Sequence, residues 1–285
     1  MRQTLLLSIL VFSITNVFAQ NPDKVLARVD YTFSDKSDTL RNGRIRKENM
    51  LLFVGKNSSL YASYDRLRYY IGLDQKIRAK MMNMIDGAQK TISVDQTESK
   101  WMSNTNQLYF INENKHYIIE NISDQGYLVD DPQEPISWKI IKDTLSFSGI
   151  KCQKALATVD GINWEVWFAS SIPFQSGPWK LNGLPGLIIE AQSQNKDIYF
   201  KFAGIENATE GNFKRAHDVT KRVNNDPDII NTIDVMLGFD VAAAYFENTI
   251  KIPSHTSKAT KSELLKFRKA VEKDEKGIHR TQSRF

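Results

Sequence analysis

The residues of this 285-residue sequence best able to do chemistry are few and scattered. Histidines stand at 116, 217, 255 and 279, and no two fall at the helical or strand spacing that makes a local zinc site. Cys152 is the only cysteine, so the chain forms no internal disulfide. With no histidine beside it in sequence to lower its pKa, Cys152 reads as a small buried apolar side chain. Carboxylates crowd "SDKSDT" and "NNDPD", but neither has the spacing of a calcium loop, and both read as turns. Met81, Met82 and Met84 have helical spacing and read as core filler rather than as a soft metal site. There is no Gly-x-Ser-x-Gly elbow, phosphate loop or dinucleotide fingerprint. The pattern points away from an enzyme with a local motif, and no cofactor or metal is expected. A hydrolase assembled from distant carboxylates such as Asp130, Asp131 and Glu165 stays open as an alternative.

The elements that must position these groups read mainly as strands. In "VLARVDYTF", Val25, Ala27, Val29, Tyr31 and Phe33 alternate onto one face. "MLLFVG", "SLYASY", "YLVDDP" and "ISWKII" are further short strands, and "QLYFINENKHYIIEN" is a hairpin turning near Glu113–Asn114. Leu67, Ile71, Ile77, Met81 and Ile85 predict a helix over Asp65 to Met84, weakened at Gly72. "PDIINTIDVMLGFDVAAAYF" looks mixed or helical. "SELLKFRKAVEKDEK" predicts a short amphipathic helix with Leu264, Phe267 and Val271 on one side and Ser262 at its start.

The block from Gly149 to Glu206 is the most legible. Asp160–Gly161 is a two-residue hairpin turn, which sets Val159 against Ile162, Ala157 against Trp164 and Ala155 against Val166. On the other face Thr158 meets Asn163, and Lys154 lies across from Trp167, where a cation can sit over the indole. A second turn at Asn195–Lys196 sets Ile189 against Phe202, Ala191 against Phe200 and Glu190 against Lys201. Glu190 therefore reads as a cross-strand ion pair rather than a catalytic carboxylate. Between these hairpins runs "SSIPFQSGPWKLNGLPGLI". Pro185 and Gly186 fit the central positions of a type II turn, and Gly177–Pro178 makes an earlier break. Leu184 is pushed toward an extended shape by the proline after it. Leu187 and Ile188 then enter a buried strand. The stretch reads as a structural connection pinned by apolar side chains, with no proton donor or metal ligand among the pins.

With these residues in view, "IPFQSGPWKLNGLPGLIIE" closely resembles the signature of the GLPGLI family, named for the run Gly183 to Ile188. "ISWKI", "GIKCQKA" and "WEVWFA" fit the family's supporting pattern, and the likeness covers roughly residues 25 to 206. The resemblance implies an exported protein of Bacteroidota-type bacteria. It implies no reaction and transfers no catalytic or binding residue. The structural motif it marks comprises Gly177, Pro178, Gly183, Leu184, Pro185, Gly186, Leu187 and Ile188.

Three divisions of the chain are expected. Residues 1–19 have a basic start, an apolar stretch and Val17-Phe18-Ala19 before Gln20, which reads as a secretory signal peptide cleaved after Ala19. No cysteine follows the cut, so no lipid-modified N-terminus is expected. Residues 20–255 form a single β-rich domain. Residues 256–285 form a basic, partly helical tail with nine Lys/Arg against four Asp/Glu, which equals the whole net charge of +5. That placement argues against a nucleic-acid-binding surface. Because the core pattern ends before the tail, the fold is expected to survive its removal. The fold class expected is mainly β: a strongly curved antiparallel sheet or half-open barrel with one packed helix and a short helical C-terminal tail. The leading functional expectation is a periplasmic or outer-membrane-associated, non-enzymatic protein that binds an amphipathic ligand or an envelope partner. Its binding surface would be concave and apolar, built from Trp164, Trp167, Phe168, Phe174, Trp179 and Leu181. The alternative is an accessory of an outer-membrane transporter, working through an exposed edge strand or the loop from Ile172 to Leu184. No transmembrane segment is expected after residue 20.

Overall fold

The computed structural model describes residues 22–37, 45–85, 102–122, 125–208, 244–245, 248–253 and 256–274. Its strands are β1 (Asp23–Lys24), β2 (Ala27–Asp35), β3 (Arg46–Val54), β4 (Ser58–Ser63), β5 (Thr105–Phe110), β6 (Lys115–Ile122), β7 (Gln125–Asp130), β8 (Lys139–Phe147), β9 (Ile150–Val159), β10 (Ile162–Ala169), β11 (Leu187–Ser193), β12 (Ile198–Asn207), β13 (Thr249–Ile250) and β14 (Ser257–Ala259). The helices are α1 (Tyr64–Ile85) and α2 (Lys261–Asp274).

Twelve strands form one sheet in the order β14-β7-β6-β5-β4-β3-β2-β12-β11-β10-β9-β8. It consists of two antiparallel meanders, β2 to β7 and β8 to β12, joined edge to edge where β2 pairs with β12. The sheet is mixed, because β14 runs parallel to β7. It is not closed into a barrel: β8 and β14 are its two ends. β1 and β13 pair separately. Among the described residues no helix is long and apolar enough to cross a membrane.

The two-residue turn at Asp160–Gly161 has positive φ at both positions, 49° and 75°, as a type I′ hairpin requires. It fixes the predicted partners: Val159 with Ile162, Ala157 with Trp164, Lys154 with Trp167. The second hairpin pairs Ala191 with Phe200, also as expected. Asn114, at φ 46°, ends the turn between β5 and β6. "ISWKII" is a strand only from Lys139 onward. Trp138 instead donates its indole N–H to the Asn182 carbonyl at 2.8 Å.

The near-continuous apolar run of β3 has a simple cause. Met50, Leu52 and Val54 enter one core with Tyr31, Trp164, Ile188 and Phe200. Leu51 and Phe53 enter a second with Leu60, Leu67, Leu108 and Phe110. The sheet is covered on both faces there, so alternation disappears. α1 packs in the second core. Ser63 caps it, accepting the Arg66 N–H at 3.0 Å.

α2 differs from expectation in two ways. Its cap is Thr260, not Ser262. The Thr260 hydroxyl accepts the Glu263 N–H at 3.2 Å while the Glu263 carboxylate accepts the Thr260 N–H at 2.8 Å, a reciprocal pair that Ser262 has no residue placed to make. The segment is also docked. Leu264 is buried with Ile122 and Val129, Phe267 stacks on Tyr127 at 4.8 Å, and β14 extends the sheet.

Candidate functional site

The connection between β10 and β11 turns as predicted but by other means. Gly186 N–H bonds the Leu184 carbonyl at 2.8 Å, a tight turn around Pro185. The Leu187 N–H, which a type II turn would send to Leu184, goes instead to Ile172 at 2.9 Å. Three glycines in the motif have distinct reasons. Gly183 sits at φ +84° with open space around it. Gly177 and Gly186 are places where backbone passes too close for a Cβ, which would lie 2.7 Å from the Leu181 oxygen and 2.3 Å from the Ala169 oxygen. Tyr31 donates to the Ile188 carbonyl at 2.6 Å, tying this strand to β2. A bulge between Trp167 and Phe168 in the pairing of β10 with β11 re-aims the strand after Ile188, and Trp167 faces Glu190.

The predicted apolar surface is not a surface. Trp164, Phe168, Trp179 and Leu181 are at most 5% exposed and fill the first core, with Phe174 packed against it. On β10 the two faces alternate and Trp164 and Phe168 took the covered one, while Trp179 and Leu181 enter the same core from the connection between β10 and β11. Trp167, one residue out of step, is half-buried on the opposite face. Lys154 lies over its ring at 5.6 Å, as predicted, and pairs with Glu165 at 2.8 Å.

The candidate hydrolytic carboxylates do not converge. Glu165 has gone to Lys154, and Asp130 is exposed at the end of β7. Asp131 is buried, where it joins Lys180 of the motif at 2.9 Å to Lys261 of α2. Burial pushes the Asp131 carboxyl up, but the bonds from Lys261 and Lys180 outweigh it and hold it below the usual range. Lys180 also holds Asp160 at 2.8 Å, so one lysine ties the motif to the β9–β10 turn and the end of β7. His116 stacks on Tyr109 at 3.9 Å, and burial lowers its pKa to about 4. His217, His255 and His279, the stretch "NNDPD", the side chains of Met81, Met82 and Met84, and most of "PDIINTIDVMLGFDVAAAYF" lie outside the described residues. Among the described residues no cluster of His, Cys, Asp and Glu is placed to hold a metal.

Cys152 is buried, and its thiol is pushed up to about 11 by burial and then by Glu190. Glu190 is 4% exposed, and burial raises its pKa to about 7 against the opposing pull of Lys201 and the Phe202 N–H. Tyr199 donates to its carboxylate. A raised carboxyl pKa favours the fold while the group is protonated, so this contribution is complete below 4.5 and is lost as pH rises through about 7. Glu190→Gln is expected to remove that loss, and the variant should gain on the order of 2 kcal/mol over wild type between pH 5 and pH 8.5 in urea melts. Parallel pH profiles for the two proteins would show that Glu190 is ionised throughout.

Sequence reasoning missed the buried polar groups beneath α1. Glu48 is 1% exposed, accepts the Ser103 N–H at 2.7 Å and pairs with Arg46 at 3.3 Å, and burial still raises its pKa. Glu120, fully buried, takes Arg268 from α2. Neither glutamate lies in a motif. The available signal was position: each stands in strand sequence at a phase that tertiary packing covers.

Residues 71–190 match the profile of a family described as "Protein of unknown function (Porph_ging)". None of the curated proteins compared matches the chain. Two solved structures, of PNGF-II in P21 and C2 space groups, align with TM-scores of 0.48 and 0.47 at 10% identity. Each alignment covers 87% of this chain, which spans only 34% and 33% of the length of those structures.

Proposed function

We propose that this protein is an exported, non-enzymatic cell-envelope component of the GLPGLI type, made with a cleaved N-terminal leader, that holds a protein partner along β8. The observation behind this reading is the free edge. Among the described residues β8 pairs only with β9, and it carries Ile140 at 47% and Leu145 at 49% exposure. An unpaired strand offers a row of backbone donors and acceptors to an incoming strand, and alternate side chains supply specificity. The other end of the sheet is finished differently, with the three-residue β14 and the docked α2. Twelve strands do not stay flat, so the sheet is taken to curve strongly and present β8 on a rim. An outer-membrane or periplasmic protein, for example a transporter, is the kind of partner this edge suits. The amphipathic-ligand reading loses its support because its apolar surface is core.

A photo-crosslinking residue placed at Ile140 or Leu145 in cells tests the reading. Both positions are expected to give one discrete protein adduct. The control, Leu265, is equally exposed at 42% but lies at the far end of the sheet, and it should give none. No adduct from β8, or the same adducts from all three sites, overturns it.

A further inference from the structure

Among the described residues, the face of β9 to β12 opposite the first core carries mostly exposed and half-buried side chains, Glu190 excepted, and they form rows across the strands. One row runs Lys154, Trp167, Glu190; the next runs Glu165, Gln192, Tyr199, Ser34. A third begins Thr158, Asn163 and continues to Gln194, whose N–H bonds the Asn163 carbonyl at 2.8 Å. Directly opposed residues of antiparallel strands point to the same side, so these groups share one surface.

We infer that this surface is a binding site for a neutral oligosaccharide. Its charges are already spent: Lys154 holds Glu165, and Glu190 has Tyr199 and Lys201. What remains for a ligand is uncharged. Trp167 and Tyr199 are half-buried aromatic rings two strands and one row apart, about 12 Å by ordinary sheet spacings. Aromatic faces are electron-rich and take the C–H faces of sugar rings. Lys154 lies over one face of Trp167, so a sugar would stack on the other face or displace that lysine, and the separation of the two rings suits a ligand of two or three rings. Between and beside them stand carboxamides, which both donate and accept as a hydroxyl-rich ligand requires.

One of these carboxamides is aimed. The Thr158 hydroxyl donates to Asn163 Oδ1 at 2.7 Å, and Asn163 Nδ2 donates to Gln194 Oε1 at 3.1 Å. Each bond polarises the next, and the chain ends on the Gln194 amide nitrogen, which has no protein acceptor among the described residues. It stands at an open cleft of about 370 Å³ lined by Gly161, Ile162, Asn163, Gln194 and Asn195. Charged lining, which an ionic ligand would need, is missing from that cleft. A peptide would want unpaired backbone, and a lipid a continuous apolar patch. This face offers neither, since its strands are paired on both sides and its two rings are separated by Gln192. The site lies on the sheet face rather than along the β8 edge, although Phe147 of β8 packs on Trp167.

Titration of the full chain with neutral hexasaccharides of glucose, mannose, galactose and N-acetylglucosamine tests the inference, read by calorimetry. At least one is expected to saturate with a Kd below about 1 mM, and salt should leave that Kd unchanged. Trp167→Ala is expected to weaken it at least tenfold. Trp167 also packs on Phe147, so the exposed pair Asn163→Ala and Gln194→Ala serves as the second variant, expected to weaken binding severalfold with an unaltered melting temperature. Failure of all four sugars to saturate overturns the inference, as does wild-type affinity in the Asn163/Gln194 variant. Binding of polygalacturonate alone, abolished by salt, would overturn it in favour of simple charge capture by surface lysines.

Discussion

Gly186→Ala is expected to destabilise the entire sheet by about 3 kcal/mol or more, at the upper end of what overpacking costs. The added methyl would meet the Ala169 carbonyl oxygen at 2.3 Å, the Ala169 carbonyl carbon at 2.6 Å and the Ser170 Cα at 2.8 Å. All three are backbone atoms in the last residues of β10 and the turn after it, so no side-chain rotation relieves the contact. Relief requires moving Leu187 or Ile188, both fully buried, or breaking the Leu187 N–H bond to Ile172. Gly183→Ala provides the contrast. Its Cβ finds nothing closer than the Trp138 indole nitrogen at 4.0 Å, so the cost is only that of φ +84° in an L-residue, about 1 kcal/mol. Thermal and urea melts of the two variants decide the matter. Equal, small losses would mean that the chain at Gly186 moves freely, and the motif would then be a mobile loop rather than the close crossing of two backbones.

That contrast marks how far the sequence could be read. The position of Gly186 was legible as a turn, because proline before glycine is a turn signal whatever surrounds it. The reason glycine is required there was not legible, since Ala169 reaches it only through the folded sheet. The register of β9 with β10 followed from the Asp160–Gly161 turn, because a two-residue turn leaves no freedom in what faces what. In the second hairpin Ala191 does face Phe200, but the loop is four residues, 194–197, with the Lys196 N–H on the Ser193 carbonyl, rather than a two-residue turn at Asn195–Lys196. The faces followed too, but not which face meets solvent. Trp164 and Trp167 look alike in sequence, and only the closing of β2 onto β12 buries the first and leaves the second half-exposed. That closure joins strands more than 160 residues apart, and no local pattern announces it. Charged residues were hardest. The burial of Glu48, Glu120 and Asp131 was not announced locally, because it depends on partners supplied by other elements: the Ser103 N–H for Glu48, Arg268 of α2 for Glu120, and Lys180 of the signature loop with Lys261 of α2 for Asp131.

Arg268 carries the other large expected effect, and it reverses the expectation that the C-terminal segment is dispensable. Glu120 is fully buried on β6, where Asn104 donates to it at 3.1 Å and Arg268 Nε at 2.7 Å. Removing one partner of such a pair leaves a charge in a low-dielectric site, at a cost of about 3–5 kcal/mol. Arg268→Met should fall at about 3 kcal/mol, because Arg66, close enough to feel Glu120, remains as a second cation. Chain ending at Ile252 should lose more, since it also uncovers Ile122 and Val129, frees the β7 edge from β14 and leaves Asp131 with Lys180 alone. The double variant Glu120→Gln, Arg268→Met separates charge from packing. With no carboxylate to strand, it should recover most of the Arg268→Met loss, whereas a loss that came from the aliphatic stem of the arginine would persist. Urea melts of the four proteins give the comparison. A truncated chain that melts with wild type would show that α2 only rests on the sheet, and the buried Glu120 would then need its counter-charge from Arg66.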